Sequence, residues 1–437
     1  MIDTLIHNGL VLTVDKDFKI IPNGAVAVRH GCIEKVWAPQ ADQALPAARR
    51  TIDAAGGIIM PGLINAHTHL PMSLFRGMAD DMPLERWLHE RIFPAEARFI
   101  TPASVPLGAS LSCAEMLLGG TTTCGDGYFL VDHFAGAVAQ AGMRAVLGQG
   151  VIDFPAPGVP DPTLNVSAAQ SFIERWQGRS ALLQPSIFCH SPGTCSSRTL
   201  QSAKKAADEM GVVFQIHVAE TRAEREQIEG AHGCSPIRYL DRLGILDSGT
   251  LLVHAVWVDT EDIAIIARSG ARMVHCPESN MKLASGIAPI PDLLSAGITV
   301  GLGTDGCAGN NDLDLWGEMD MAAKLHKVHR LNPTVMDAAT VVRMTTIEGA
   351  RALGLDRMVG SLEIGKRADL IVLKNGEPHL TPLYHAASHL VYVVRANDVR
   401  HVMIDGQWVV RERQLLTIDL DALFIQVNAL ARRIEAG

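Results

Sequence analysis

Two histidines, His67 and His69, stand two residues apart at the end of the stretch G-G-I-I-M-P-G-L-I-N-A-H-T-H-L, residues 56–70. The apolar run of Ile58, Ile59, Met60, Leu63 and Ile64 reads as one buried strand, and the alternation of a strand puts both imidazoles on one face. Two neutral nitrogen donors fixed together are half of a divalent metal site. Candidates for the other half follow apolar runs further along: His190, His217, His254 and Asp305. His67, His69 and His217 with the carboxylate of Asp305 give one ion a mixed nitrogen and oxygen shell that leaves a position for water. The fourth strand ends in Q-P-S-I-F-C-H, with His190 and no lysine that could be carbamylated to bridge two ions, so one metal is expected. Zinc suits such a shell best, and iron(II) is the alternative.

A cation in that shell lowers the pKa of its water from about 15.7 to near 7. Hydrolysis at a carbon then needs groups that carry protons. Glu220, three residues after His217 in H-V-A-E, is the candidate shuttle, with His254 and Asp305 placed to orient or deprotonate the water. His326 and His329, in K-L-H-K-V-H, are expected on a solvated helix face, and His385, His389 and His401 in structural roles outside the site.

These residues need elements to hold them. Residues 1–58 read as short strands with tight turns, Asn8-Gly9 being a hairpin signal. From there strands and helices alternate, with strands near residues 62, 122, 147, 185, 215, 253, 273 and 300 and helical patterns over 166–177, 196–210, 261–268, 314–328 and 335–353. Eight such units predict a (β/α)8 barrel whose chemistry gathers at the carboxyl ends of its strands, and every candidate above falls at such an end. Beyond Gly360 the strand-and-turn texture returns before a final helix over 419–434. The expected architecture is a TIM barrel over 59–357, flanked by a small β-sandwich domain built from residues 1–58 and 358–437.

The composition agrees. The chain has 437 residues, 48% hydrophobic and 19% charged, with a net charge of −9 that argues against nucleic acid or an anionic membrane as partner. No apolar run is long enough to cross a bilayer. The eight cysteines form no C-x-x-C pair, and the opening M-I-D-T-L-I-H-N-G has no basic and then apolar leader, so a reduced cytoplasmic protein is expected. A small-molecule substrate is the expected partner, with homo-oligomerisation left open.

P-G-L-I-N-A-H-T-H, H-V-A-E, H-C-P-E-S-N-M-K-L-A-S-G, G-T-D-G-C-A-G-N-N-D-L-D and G-S-L-E-I-G-K-R-A-D-L-I-V-L together resemble the amidohydrolase superfamily. Within it the chain is similar to the deaminase and chlorohydrolase branch, and there to the 5′-methylthioadenosine/S-adenosylhomocysteine deaminases, over nearly its whole length. The resemblance implies one metal at His67, His69, His217 and Asp305, with Glu220 and His254 moving protons. It further implies a metal-dependent deaminase of adenine nucleosides that releases ammonia. Glu96, in W-L-H-E-R-I-F-P-A-E, would accept ribose hydroxyls, and His190 would meet the substrate. Guanine-type, triazine or aminodeoxyfutalosine rings are the alternative substrates, and a non-catalytic scaffold of the same fold the remote one.

One position departs from the pattern. Many members of the subgroup carry arginines at and after the third strand that meet the amino-acid tail of S-adenosylhomocysteine. Here Gln149 stands there in G-Q-G-V-I-D, and no arginine or lysine occurs between Arg144 and Arg175. A buried substrate carboxylate without a cation is costly, so an uncharged tail such as that of methylthioadenosine is favoured.

Overall fold

The computed structural model describes residues 1–40 and 44–436. Of the spans assigned above, residues 41–43 and Gly437 lie outside the described residues. The strands in chain order are β1 (Ile2–Leu12), β2 (Ile20–Arg29), β3 (Cys32–Trp37), β4 (Ala48–Asp53), β5 (Ile58–Pro61), β6 (Leu63–Thr68), β7 (Thr121–Tyr128), β8 (Arg144–Val151) and β9 (Leu183–Cys189). They continue as β10 (Phe214–Val218), β11 (Thr250–His254), β12 (Arg272–His275), β13 (Val300–Leu302), β14 (Leu370–Leu373), β15 (Val399–Ile404), β16 (Gln407–Arg411) and β17 (Gln414–Leu415).

Strands β6 to β13 pair in sequence order as one eight-stranded parallel sheet, with helices between them. Parallel strands covered on both faces tolerate little exposure, and β6, β7, β8, β10 and β11 are buried along their whole length. A parallel bridge from Thr68 to Asp305, with the Asp305 amide donating to the His67 carbonyl at 3.0 Å, joins the first strand to the segment after the last. This is the (β/α)8 barrel. The remaining strands, drawn from both ends of the chain, form a nine-stranded, largely antiparallel sheet. Arg144 at the start of β8 reaches it from the barrel, its Nε 2.7 Å from Asp369 Oδ2 and its Nη2 3.0 Å from Asp369 Oδ1, with both side chains almost wholly buried.

Four expectations are corrected. The apolar run before His67 is not one strand: Ile58–Pro61 pairs with β1 and β14 in the flanking sheet and Leu63–Thr68 pairs with β7 in the barrel. The break falls at Gly62, where a Cβ would lie 2.2 Å from the Thr122 side chain. Asn8-Gly9 is not a hairpin turn but an irregularity inside β1, with Asn8 at φ +57. The hairpin of that region turns at His30-Gly31, both at positive φ, between β2 and β3. The helical pattern over 335–353 is two helices, Ala338–Met344 and Ile347–Ala352. They part at Thr345 and Thr346, whose hydroxyls turn back to the Val342 carbonyl at 3.1 and 2.6 Å.

Finally, His326 is not on a solvated face. It is fully buried, its Nε2 3.1 Å from Nε2 of His275 at the end of β12, while His329 is exposed. The helix Leu315–Arg330 turns its Met319, Ala322, Leu325 side to the barrel, and His326 falls within that stripe.

Candidate metal centre and active site

The carboxyl ends of β6, β10 and β13 converge. His67 is the second-last residue of β6, His69 lies just beyond the strand, His217 in β10 and Asp305 after β13; one ligand atom from each lies within 4.8 Å of all the others. His67 Nε2 is 3.1 Å from His217 Nε2 and 3.6 Å from Asp305 Oδ1, and His69 Nε2 is 3.1 Å from the same oxygen.

Neighbouring groups aim these atoms inward. The Nδ1 of His69 lies 2.5 Å from the Gly127 carbonyl, which fixes the proton there and leaves Nε2 as a lone pair. Ser279 Oγ donates to Asp305 Oδ2 at 2.7 Å and so frees Oδ1 for the imidazoles. Burial pulls His67 down to about 4 and His217 well below the ordinary imidazole range, so both are neutral. Burial also works to raise Asp305, but the His67 and His69 imidazoles beside it outweigh burial and hold the carboxyl well below its ordinary value. Three imidazole nitrogens and one carboxylate oxygen facing a common point in a dry interior fit a single divalent cation of the zinc type.

Phe188 of β9 underlies the cluster, with its ring centroid 4.9 Å from that of His217 and 5.7 Å from that of His69. Two glycines make room for it: a Cβ on Gly127 would come within 2.5 Å of its ring, and one on Gly148 within 2.8 Å of its Cβ.

Beside the donors stand Glu220 and His254, neither of them part of the cluster. Glu220 Oε2 lies 3.8 Å from His254 Nε2, and Glu220 Oε1 accepts from Ser285 Oγ at 3.2 Å. Burial pushes the Glu220 carboxyl up, against the pull of His254. Glu220 precedes the helix Arg222–His232, whose Glu224 accepts from the backbone amides of Ala219 and Glu220 at 3.0 and 2.9 Å. The backbone is strained here: Ala219, His254, Ala255 and Asp305 sit at φ +51, +74, +42 and +62, in the left-handed region. Such non-glycine residues cost about 1–3 kcal/mol each and gather where the surroundings impose a geometry.

The residues expected to meet substrate are placed as follows. Glu96, in the helix Phe93–Phe99, is buried and accepts from the Tyr128 hydroxyl at 2.5 Å; the Tyr128 ring lies 6.2 Å from that of His69. Burial pushes Glu96 up to about 7. His190 holds Thr194 Oγ1 at 2.9 Å on Nδ1, and its ring is 5.5 Å from that of His217 and 6.4 Å from that of Phe93. Gln149, opposite Tyr128 in the sheet, does not offer its amide outward: Oε1 accepts from the Val131 amide and Nε2 donates to the Gly150 carbonyl, both at 3.3 Å. Tyr128, Phe188, Ser279, Asn280 and Ser285 escaped the sequence reading. Of these, only the serines and the asparagine lay in a conspicuous motif, H-C-P-E-S-N-M-K-L-A-S-G. A cavity of about 580 Å³ between Asp3, Arg49, Arg367 and Trp408 belongs to the flanking sheet and holds none of these groups.

An eight-stranded parallel barrel with three histidines and an aspartate at the carboxyl ends of its strands defines a metal-dependent hydrolase class, and the comparison with known proteins agrees. Residues 58–409 match the Amidohydrolase family, and the chain belongs to it. It is 46% identical over 433 residues to a 5-methylthioadenosine/S-adenosylhomocysteine deaminase of Syntrophobacter fumaroxidans, covering 99% of this chain and 98% of that protein. It is 39% identical over 439 residues to a 5′-deoxyadenosine deaminase of Methanosarcina mazei, covering 100% and 99%. The zinc-bound crystal structure of an adenosine deaminase from Xanthomonas campestris superposes with a TM-score of 0.97 at 37% identity, over 100% of this chain and 99% of that one. A triazine hydrolase from Arthrobacter aurescens, at 23% identity and a TM-score of 0.91 over 99% and 100%, shares the fold.

Proposed function

We propose that this chain is a hydrolytic deaminase that converts adenine nucleosides, 5′-methylthioadenosine and adenosine foremost, into their inosine analogues and ammonia. One observation carries the reading: a half-buried carboxylate outside the donor set, Glu220, faces His254 across 3.8 Å at the edge of the metal centre. The names borne by relatives and by a structural neighbour across the full chain support adenine as the ring.

His67, His69, His217 and Asp305 would hold one divalent ion, most suitably zinc, which supplies the Lewis acidity that makes water a nucleophile near neutral pH. His254 Nε2 and Asp305 take a proton from the attacking water. Glu220 gives a proton to the ring nitrogen beside the amino-bearing carbon, which opens that carbon to the water oxygen; the proton taken from the water passes to the amine, the C–N bond breaks to release ammonia, and the new hydroxyl returns a proton to Glu220 as it becomes the carbonyl. Groups placed in this way contribute about 10²- to 10⁴-fold each. Glu96, held by Tyr128, accepts from the ribose hydroxyls, and His190 meets the base. Gln149 turns its amide to the backbone, so a carboxylate tail would enter without a partner, and S-adenosylhomocysteine is the poorer substrate. Residues 63–357 form the catalytic unit, and the sheet drawn from both ends of the chain flanks it. The eight unpaired cysteines support a cytoplasmic location. Among the described residues no helix is long and apolar enough to cross a membrane.

Ammonia release by the zinc-loaded protein on matched methylthioadenosine, S-adenosylhomocysteine, adenosine and guanine tests the assignment. Turnover of methylthioadenosine well above S-adenosylhomocysteine, with guanine inert, is expected. Release from guanine alone would replace adenine with another ring.

A further inference from the structure

The seventh barrel strand, β12, contributes none of the four donors, yet the segment that follows it touches three separate groups of the site. Ser279 Oγ donates to Asp305 Oδ2 at 2.7 Å, Asn280 Oδ1 lies 3.0 Å from His254 Nδ1, and Ser285 Oγ donates to Glu220 Oε1 at 3.2 Å. All three side chains are buried. We propose that residues 277–286 are the positioning frame of the proton-handling pair, Asn280 setting the tautomer and tilt of His254 and Ser285 the orientation of the Glu220 carboxylate. The inference rests on the reading of Glu220 and His254 given above.

An amide oxygen only accepts, so the proton of a neutral His254 sits on Nδ1 and Nε2 presents a lone pair on the side of Glu220. The terminal torsion of an imidazole has a broad minimum, and the backbone of His254 is already at φ +74. Ring tilt is therefore set by what Nδ1 binds. A carboxylate likewise turns freely about its last bond until one oxygen is held, and Ser285 holds Oε1, leaving Oε2 toward His254.

The frame is itself tied down. Trp257 Nε1 donates to the Ser285 carbonyl at 2.7 Å, and the Ser285 amide donates to the Asn280 carbonyl at 2.8 Å. The buried carboxylate of Glu318 accepts from the Glu278 amide at 3.1 Å and from Asn310 Nδ2 at 2.8 Å. Asn310 Nδ2 in turn reaches the carbonyl of Thr304, the residue before Asp305, at 2.9 Å. One connected network thus links the frame to the loop that carries the ligand Asp305.

The test uses the zinc-loaded full chain with methylthioadenosine. Asn280→Leu removes the acceptor, Asn280→Asp keeps it, and each is made with and without His254→Asn. Expected for Asn280→Leu is a kcat about 10- to 100-fold lower, with KM, zinc content and melting temperature unchanged. Asn280→Asp recovers most of that loss. Placed on His254→Asn, Asn280→Leu costs less than about twofold more, because the two act through one group. Ser285→Ala with and without Glu220→Gln repeats the cycle on the other partner and decides the matter should Asn280→Leu not fold. Wild-type kcat in Asn280→Leu, or a full additive loss on top of His254→Asn, overturns the positioning role while leaving the proposed reaction intact. A near wild-type kcat in His254→Asn itself overturns both.

Discussion

Glu220 Oε2 and His254 Nε2 face each other across 3.8 Å, brought together from the ends of adjacent strands, and neither supplies a donor to the metal cluster beside them. The site therefore divides its labour between groups that hold an ion and groups that move protons. The division can be tested one residue at a time.

Glu220→Gln preserves shape and hydrogen bonding to Ser285 but cannot deliver a proton in the same way. Zinc content should stay at the wild-type level while kcat falls about 10²- to 10⁴-fold. Parallel metal analysis and ammonia assays check this, and near wild-type turnover would remove Glu220 from the shuttle role.

His67→Ala acts on the other half. With one of four donors gone, metal content after purification should drop along with activity. For the wild type, a cation that binds only the folded chain adds about 2.7 kcal/mol at roughly a hundredfold excess over Kd. Chelation should lower the melting temperature of the wild type and zinc restore it, whereas His67→Ala should respond to neither.

Glu96 predicts a pH dependence of stability. Burial pushes its carboxyl up to about 7 in the folded chain. The unfolded chain releases this proton near pH 4.5, so between those values the folded state binds more protons and stability falls as pH rises. The cost is complete above about pH 7 and on the order of 3 kcal/mol. Glu96→Gln removes it. Urea melts should show the variant gaining on the wild type between pH 4.5 and 7 and holding a constant advantage above, while its KM for nucleosides rises.

Arg144 and Asp369 form a bidentate ion pair buried between β8 and the flanking sheet. Removing one partner strands the other charge and costs about 3–5 kcal/mol. Arg144→Ala should lose that much in denaturant unfolding with kcat little changed, and Arg144→Met with Asp369→Leu should recover a large part of it.

How far the sequence reached follows from what kind of signal each feature leaves. The barrel was legible because its strands are long apolar runs, buried on both faces, with the histidines and Asp305 placed at their ends. The split of residues 58–68 into two strands was not, because a buried strand of either sheet is equally apolar, and only the contact of Gly62 with Thr122 marks the junction. His326 was misplaced for a related reason: its polarity suggested solvent, but the partner that lets it be buried, His275, lies 51 residues away and left no local trace. Tyr128 and Phe188 read as ordinary strand residues, since their contacts with Glu96 and the ligand histidines exist only once the barrel closes. Asn280 and Ser285 stood in a visible motif, yet spacing alone does not reveal which groups they hold.

The central claim is hydrolytic removal of the amino group from an adenine nucleoside at this metal centre. It is tested most directly by incubating the zinc-loaded protein with 5′-methylthioadenosine and following the nucleoside by mass spectrometry together with ammonia. Conversion to the inosine analogue is expected, with one ammonia released per nucleoside consumed, and is abolished in His67→Ala. Unchanged methylthioadenosine and adenosine in the presence of a fully metal-loaded protein would contradict it.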